Sequence, residues 1–318
     1  MKKQECKRAM FENITYPEMW NEFYTKYHTQ IVPCVRKYDQ ERKNKLILAS
    51  ILSTFFALAG VLIIILVKLD GGTGEDAFTP ASFLFGSSYF AWFVIKKNFE
   101  RKIKNKIMRT VCSCFEKLTW SKSRYIGGKV FEKSGVVPHF TSEIYDDIFA
   151  GFHKGVHMEI VESEFKVRRG KYEGTVFKGV VIKLDMNKAF TSHTIIAPDS
   201  YFHKSPVHDL RHTVLEDVEF EKKFDVYTND EVDARYLITP AFMQRLIDLK
   251  TAFKANKIQC AFYGNLFFVA LHTSKDLFSL CSLLKPIDDS KQYFQMFEEI
   301  LSIIKLIDHF KLNEKTGV

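Results

Sequence analysis

Three histidines, His203, His208 and His212, stand close in the chain to Asp199 and Asp209, a grouping of nitrogen and oxygen donors of the kind that bind zinc. Such a site needs roughly three or four converging ligands, and no HExxH-type spacing holds these side chains together. Solvated loop histidines are therefore the simpler reading, with a metal as the alternative. A second group, Glu216, Asp217, Glu219 and Glu221 around Phe220, offers paired carboxylates that could do acid–base work. Alternation along an extended segment would put Glu219 and Glu221 on one face and Phe220 on the other, a solvent-facing row above a buried ring. The third group centres on Arg235, set between Ala234 and Tyr236, with Asp225, Asp230 and Asp233 upstream. A guanidinium can satisfy a carboxylate bidentately, so Arg235, Asp230, Asp233 and Tyr236 read either as a structural clamp or as a binding site for an anionic ligand or a partner. Six cysteines are scattered along the chain. Cys112 and Cys114, two apart on a predicted helix, point about 200° apart and cannot share a metal, so reduced thiols are expected. Phosphate-loop, dinucleotide-fold, nucleophile-elbow and kinase patterns are all missing, so no catalytic residue is assigned and no cofactor is expected.

Two apolar runs, Leu46–Val67 and Phe78–Ile95, dominate the elements that must position these groups. The first holds no charge and as a helix reaches about 33 Å, enough for a hydrocarbon core of roughly 30 Å. The second contains Pro80 and several small polar residues and is barely long enough, which leaves a re-entrant segment as its alternative. Arg36, Lys37, Arg42, Lys43 and Lys45 precede the first run, and Lys96, Lys97, Arg101, Lys102, Lys104, Lys106 and Arg109 follow the second, while the loop between has only Lys68. That bias predicts a transmembrane hairpin with both termini cytoplasmic. Small residues on one face of each run, Ala49, Ser53, Ala57 and Gly60 against Ser82 and Gly86, predict that the two helices pack on each other. No ionisable residue lies inside either run, which argues against an ion path or proton relay.

The net charge of +8 is unevenly placed: residues 96–133 carry twelve Lys/Arg against three Asp/Glu, and residues 134–318 carry twenty-three against twenty-six. Basic residues beside a membrane read as attraction to anionic lipid head groups, with Lys96, Lys97, Arg101, Lys102, Lys104 and Lys106 as the surface. No nucleic-acid-binding pattern accompanies them. Thr15-Tyr16-Pro17-Glu18 has capping-box spacing, and Trp20, Phe23, Tyr24, Tyr27, Ile31, Val35 and Tyr38 then recur at helical spacing with a kink expected at Pro33. Phe99, Ile103, Ile107, Val111, Phe115 and Leu118 do the same after the second run. Two such stripes would bury each other in a helical neck, the alternatives being to lie flat in the interface or to pair with another subunit. This divides the chain into an amphipathic segment over 1–45, the hairpin over 46–95, a basic neck over 96–133 and a cytoplasmic domain over 134–318.

In that last part Ile144–His153, Val156–Val167 and Thr175–Met186 read as strands, with a hairpin tip at Arg169–Gly174, and His193–Ile196 and Val214–Tyr227 look extended on either side of a long loop. Thr239-Pro240 starts a helix, Ile258–Phe262 and Asn265–His272 form a second hairpin around Gly264, and a helix over Asp288–Leu312 closes the chain. Strands grouped with helices, without βαβ alternation, predict an α+β domain on a mainly antiparallel sheet.

Phe23-Tyr24 through Arg42-Lys43 before the hairpin, Phe177-Lys178-Gly179, Asp185-Met186-Asn187-Lys188, Leu215–Phe224, Asp225-Val226-Tyr227-Thr228-Asn229-Asp230 and Ala234–Pro240 together resemble, over nearly the whole chain, a bacterial membrane-anchored group, the domain-of-unknown-function 3137 family. The resemblance is densest from Val214 to Leu249 and implies a bacterial membrane protein with a cytoplasmic α+β domain, often encoded near LemA-type membrane proteins. It carries no activity and no catalytic residue. The expectation is a membrane-anchored binding or scaffold module in the bacterial inner membrane, with a membrane-protein partner or a homo-oligomer. The alternative is an enzyme with an undescribed site near Arg235 or the His203–His212 loop.

Overall fold

The computed structural model describes residues 17–115, 117–122, 127–186, 189–198, 207, 209–215, 217–274, 277–278, 283–284 and 290–309. It divides into two compact units: one runs to Cys114 and takes in a return segment at Ser279–Ser290, and the other comprises Phe115–Phe278 and the chain from Lys291 onward.

The first unit is helical. Helix α1 (Pro17–Lys26) starts with proline, whose missing N–H is unneeded there, and runs through a π-helical segment, Tyr27–Ile31, into α2 (Val32–Leu69). The kink expected at Pro33 takes this form. Proline cannot donate to the carbonyl four residues back and its ring crowds it, and the Val32 N–H instead reaches Tyr27 O, five residues back. A tight turn with Gly71 at φ 75° leads to α3 (Gly74–Cys112), where Asp76 Oδ2 accepts from both the Thr73 backbone N–H and its hydroxyl at 2.8 Å. Both helices are long and apolar enough to cross a membrane.

The neck forms as the spacing predicts. Trp20, Phe23, Tyr27, Ile31 and Val35 are buried on one side and Phe99, Ile103, Ile107, Met108 and Val111 on the other. Polar contacts hold their rims: Lys26 Nζ donates to Ser113 O at 2.7 Å, and Lys102 Nζ to both Glu41 oxygens at 2.9 Å. Arg42, 7% exposed, pairs with Asp39 at 2.7 Å and donates to Leu283 O at 3.2 Å, while Glu100 accepts from Leu283 N at 3.2 Å. One backbone unit of the return segment is thus held from both neck helices.

Small residues do meet along the hairpin, but those of α3 are not the expected ones. Ala49 and Gly60 are buried on α2, with Gly60 facing the Phe85 ring; on α3 the buried pair is Ala77 and Ala81, and Ser88 Oγ donates to Ser53 O at 2.9 Å. Ser82 and Gly86 point outward instead. Helical steps of three and four run Ala77–Ala81–Ser88 as well as Ser82–Gly86, and sequence spacing alone cannot choose between them.

The second unit is an α+β domain on a nine-stranded antiparallel sheet ordered β1-β2-β3-β4-β9-β8-β5-β7-β6. The strands are β1 (Thr119–Ser121), β2 (Ser142–His153), β3 (Val156–Arg169), β4 (Tyr172–Asp185), β5 (Thr194–Pro198), β6 (Arg211–Thr213), β7 (Phe224–Thr228), β8 (Lys257–Tyr263) and β9 (Leu266–His272). Turns at Gly155, Gly170 and Gly264, all at positive φ, close the β2–β3, β3–β4 and β8–β9 hairpins. Helices α4 (Lys129–Lys133), α5 (Val218–Glu221), α6 (Glu231–Leu237), α7 (Pro240–Ala252) and α8 (Ser290–His309) complete the elements.

Both faces of the sheet are covered, which is why Val180, Val181 and Ile182 are apolar in succession. One face packs Phe131 and the Val136–Phe140 segment onto Val161, Phe165, Phe177, Val181 and Phe268. On the other, Phe242 of α7 meets Phe262 and Phe267 with ring centroids 5.8 and 5.9 Å away. Asp308 of α8 lies 2.9 Å from His153 Nε2 and 3.0 Å from Lys154 Nζ.

The expected extended run over Val214–Tyr227 is broken. A helical turn, α5, interrupts it, with Asp217 Oδ1 accepting from Phe220 N at 3.0 Å and Glu221 Oε1 from Leu215 N at 2.6 Å. Phe220 is buried because it stacks on Phe224, centroids 4.7 Å apart, rather than because it alternates with glutamates.

Candidate functional site

Along the apolar stretches of α2 and α3 the large side chains point away from the hairpin. Ile51, Phe55 and Leu58 on α2 are 63%, 65% and 64% exposed, and Phe83 and Phe90 on α3 are 75% and 66% exposed. Each large apolar side chain left in water forfeits about 1.5–3 kcal/mol of burial, so such a band favours a cover. At the basic end Lys97 Nζ stands 5.2 Å over the Phe93 ring, Arg101 donates to Asn98 at 3.2 Å, and Lys102 Nζ sits 5.3 Å over Tyr38 beside Glu41. Lys106 is exposed, and Lys96 and Lys104 are half-buried.

The Arg235 group folds differently from a strand-to-helix connection. Asp230 is the N-cap of α6, accepting from Val232 N at 2.9 Å and Asp233 N at 3.2 Å. Asp233 Oδ2 accepts from the Ser192 backbone N–H at 3.2 Å and from the Ser192 hydroxyl. Arg235 reaches Val214 O at 3.4 Å and lies 4.0 Å from Glu231. Asp225 faces His212 at 3.4 Å on the neighbouring strand. The aspartates thus serve helix capping and strand contacts, while Val232 and Tyr236, 80% and 62% exposed, share one face of α6 with Val214 close by. Because the Arg235 side chain is about half exposed, Arg235→Lys should change the unfolding free energy by less than about 0.5 kcal/mol. An unchanged urea midpoint checks this, and a loss of about 2 kcal/mol or more would mean a buried clamp.

Among the metal candidates, His203 and His208 lie outside the described residues, as does Asp199, and His212 meets the Tyr227 ring edge to face. Among the described residues no three His, Cys, Asp or Glu side chains are grouped to hold a metal ion. Cys34, Cys112, Cys114 and Cys260 are free thiols; burial pushes Cys112 up to about 12 and Cys114 up to about 11, which leaves them protonated and unreactive.

Residues 175–312 match the family model described as a protein of unknown function (DUF3137). This segment is similar to the DUF3137 family. The DUF3137 segment starts within β4 and takes in the second half of the sheet with α5 to α8, so it contains Gly179, the Arg235 group and the half-buried His272 and buried Glu299 described next. A solved structure, that of the mycobacterial trehalose monomycolate transport factor A, is similar over 60% of this chain and 86% of its own length, at 10% identity and a TM-score of 0.35. No curated protein matches.

Two ionisable groups of the DUF3137 segment, half-buried His272 and buried Glu299, are shifted by burial. His272, at the end of β9, is pushed down to about 4 by burial and by Lys257, and its Nε2 stands 3.3 Å from Gln259 Nε2, so that ring nitrogen is an acceptor. Glu299 on α8 is raised to about 7 by burial; one oxygen accepts from Gln295 at 2.8 Å and the other has no hydrogen-bond partner. Sequence reading missed both, since a polar residue in a strand end or a helix carries no mark of its burial. It also missed Lys223, Lys250, Lys254 and Lys257, which line a cleft at one end of the sheet. The signal available was the spacing of three and four between Lys250, Lys254 and Lys257.

Proposed function

We propose that this protein is a membrane-anchored binding module: α2 and α3 cross the inner membrane of a bacterial cell, both termini lie in the cytoplasm, and the sheet domain engages a membrane-protein partner. The observation that carries the reading is the exposed apolar band around α2 and α3, which lipid would cover at no cost in unsatisfied backbone groups because both segments are helical. Charge supports the orientation. The basic flanks belong to the ends of both helices remote from the Gly71 turn, and Lys96, Lys97, Arg101, Lys104 and Lys106 are suited to anionic head groups. Support for partner binding comes from the Arg235 region, where exposed Val214, Val232 and Tyr236 lie beside charged Arg235 and Glu231, a patch that mixes apolar and charged side chains.

Reporter fusions at the C-terminus test the placement: a cytoplasm-active reporter should signal and an export-dependent one should not. The opposite pattern would overturn it. A photo-crosslinking residue at Val232 tests the binding face in intact membranes. One reproducible adduct, lost when Tyr236 is changed to aspartate, is expected; an adduct of twice the chain's own mass would make the partner a second copy, and no adduct would remove the binding face.

A further inference from the structure

A cleft of about 580 Å³ opens where the end of α7 meets the starts of β7 and β8 and the end of β5. Its walls carry Lys223, Lys250, Lys254 and Lys257, contributed by three separate segments, and no carboxylate among the described lining residues, with Glu298 and Glu299 of α8 acting on Lys254 from outside the lining. Its floor is apolar, with Phe224, Ile247 and Ile258. Like charges gathered in one concavity repel, and they are tolerated where an anion completes the site. Lysines at a helix C-terminus also complement the helix dipole, which accounts for Lys250; it does not account for Lys223 and Lys257, which belong to other segments.

Lys254 adds an observation of another kind. It occupies the position after the α7 C-cap with φ at 48°, where glycine is the usual residue. Its N–H bonds to Thr251 O at 3.0 Å and the Ala255 N–H to Lys250 O at 2.9 Å, the paired bonds of a Schellman cap. A residue with a Cβ in the left-handed region is strained relative to glycine, a cost that Lys117 and Lys154 carry elsewhere in the chain as well. The Lys254 ammonium donates to Gln295 Oε1 at 2.7 Å, and the residue lines the cleft.

We infer that this cleft is a binding site for an organic phosphate, with the lysine ammonium groups holding the phosphoryl oxygens and the apolar floor holding the body attached to them. Lysine serves phosphate as a point charge without needing fork geometry, and the cavity falls in the size range of small-molecule sites. The same chemistry is offered by a soluble nucleotide and by the head group of an anionic lipid. The inference rests on the sheet domain alone and stands whether or not the helices cross a bilayer as proposed above.

Titration of the full chain in phosphatidylcholine nanodiscs with ADP, and separately with dihexanoyl phosphatidic acid, tests it. Saturable binding of at least one probe is expected, weakening as salt rises and by about fivefold for each lysine removed. The informative variant is Lys254→Gly, which relaxes the backbone and so should fold at least as well as the parent while losing affinity; Lys254→Arg should keep it. Lys250→Gln with Lys257→Gln gives an independent reading. Preference for ADP identifies a soluble phosphate and preference for the phosphatidic acid a lipid head group, and either supports the site. Failure of both probes to saturate, or equal affinity in parent and Lys254→Gly, overturns it.

Discussion

Gly179→Ala should unfold the sheet domain, with a loss of more than about 4 kcal/mol, at the extreme end of single substitutions. Gly179 lies in β4 opposite His272 of β9 and Ser163 of β3, with φ at 152°. A Cβ built there would stand 1.9 Å from Leu271 O and 2.9 Å from Thr273 N, and both are backbone atoms of a neighbouring strand. Backbone cannot rotate out of the way as a side chain can, so β4 and β9 would have to separate. These strands join the β1–β4 meander to the rest of the sheet, so their separation divides the core in two. Gly174, on the same strand with nothing within 4 Å of its Cβ position, is the control: Gly174→Ala should shift stability by less than about 0.5 kcal/mol. Urea unfolding of the full chain in nanodiscs, followed by tryptophan fluorescence, reads both. Equal midpoints for the parent and Gly179→Ala would refute the close approach.

The second large effect is hidden in the parent protein. Glu299 titrates at about 7 in the folded chain against an ordinary 4.5, so between those values the folded state holds a proton that the unfolded state has lost, and stability falls as pH rises. His272 does the reverse. With a folded value of about 4 against 6.5, it is neutral in the fold while the unfolded chain binds a proton, and stability rises with pH across that window. Each amounts to about 3 kcal/mol over its window, and the windows overlap between about 4.5 and 6.5, where the two slopes cancel. Partly buried His193, lowered by burial, leans the same way as His272, and Glu298, raised by burial, leans with Glu299. Glu299→Gln should unmask the histidine, with stability climbing by about 3 kcal/mol from pH 4 to pH 6.5. His272→Gln should unmask the glutamate, with stability falling by a similar amount from pH 4.5 to pH 7. Urea midpoints across that pH range check the pair, and parallel profiles for the two variants would show that neither group is buried as described.

Much of this fold could be read from the chain because its signals were redundant. The β3–β4 turn has Gly170 between two alternating runs, and α7 has Thr239 capping, Pro240 at the first position and Phe242, Leu246 and Leu249 on one face. Where signals were single they misled. The stretch from Val214 to Tyr227 has apolar residues spaced both for a strand and for the short turn α5, and the deciding mark was Asp217 three residues before Phe220, a cap. The same mark stood at Asp230, three residues before Asp233, and announces α6. Strand β1, three residues long and defined only by pairing with Ile148–Ala150, has no local pattern to find. The site features were harder still. The lysine cleft is assembled by strand order, which places the end of β5 between the starts of β7 and β8, and no local reading of residues yields that order.

The return of the chain to the helical unit at Leu283 alters how the protein would respond to a nick. Because the polypeptide passes from the helices to the sheet at Cys114–Phe115, comes back after Phe278 and leaves again at Lys291, the sheet is joined to the helices by one covalent crossing and by a return segment that docks on them through hydrogen bonds. A cut at Cys114–Phe115 would break that covalent link, and the docked return segment alone would then keep the sheet on its anchor. The Arg42 and Glu100 hydrogen bonds to Leu283 would hold the severed pieces in register as well.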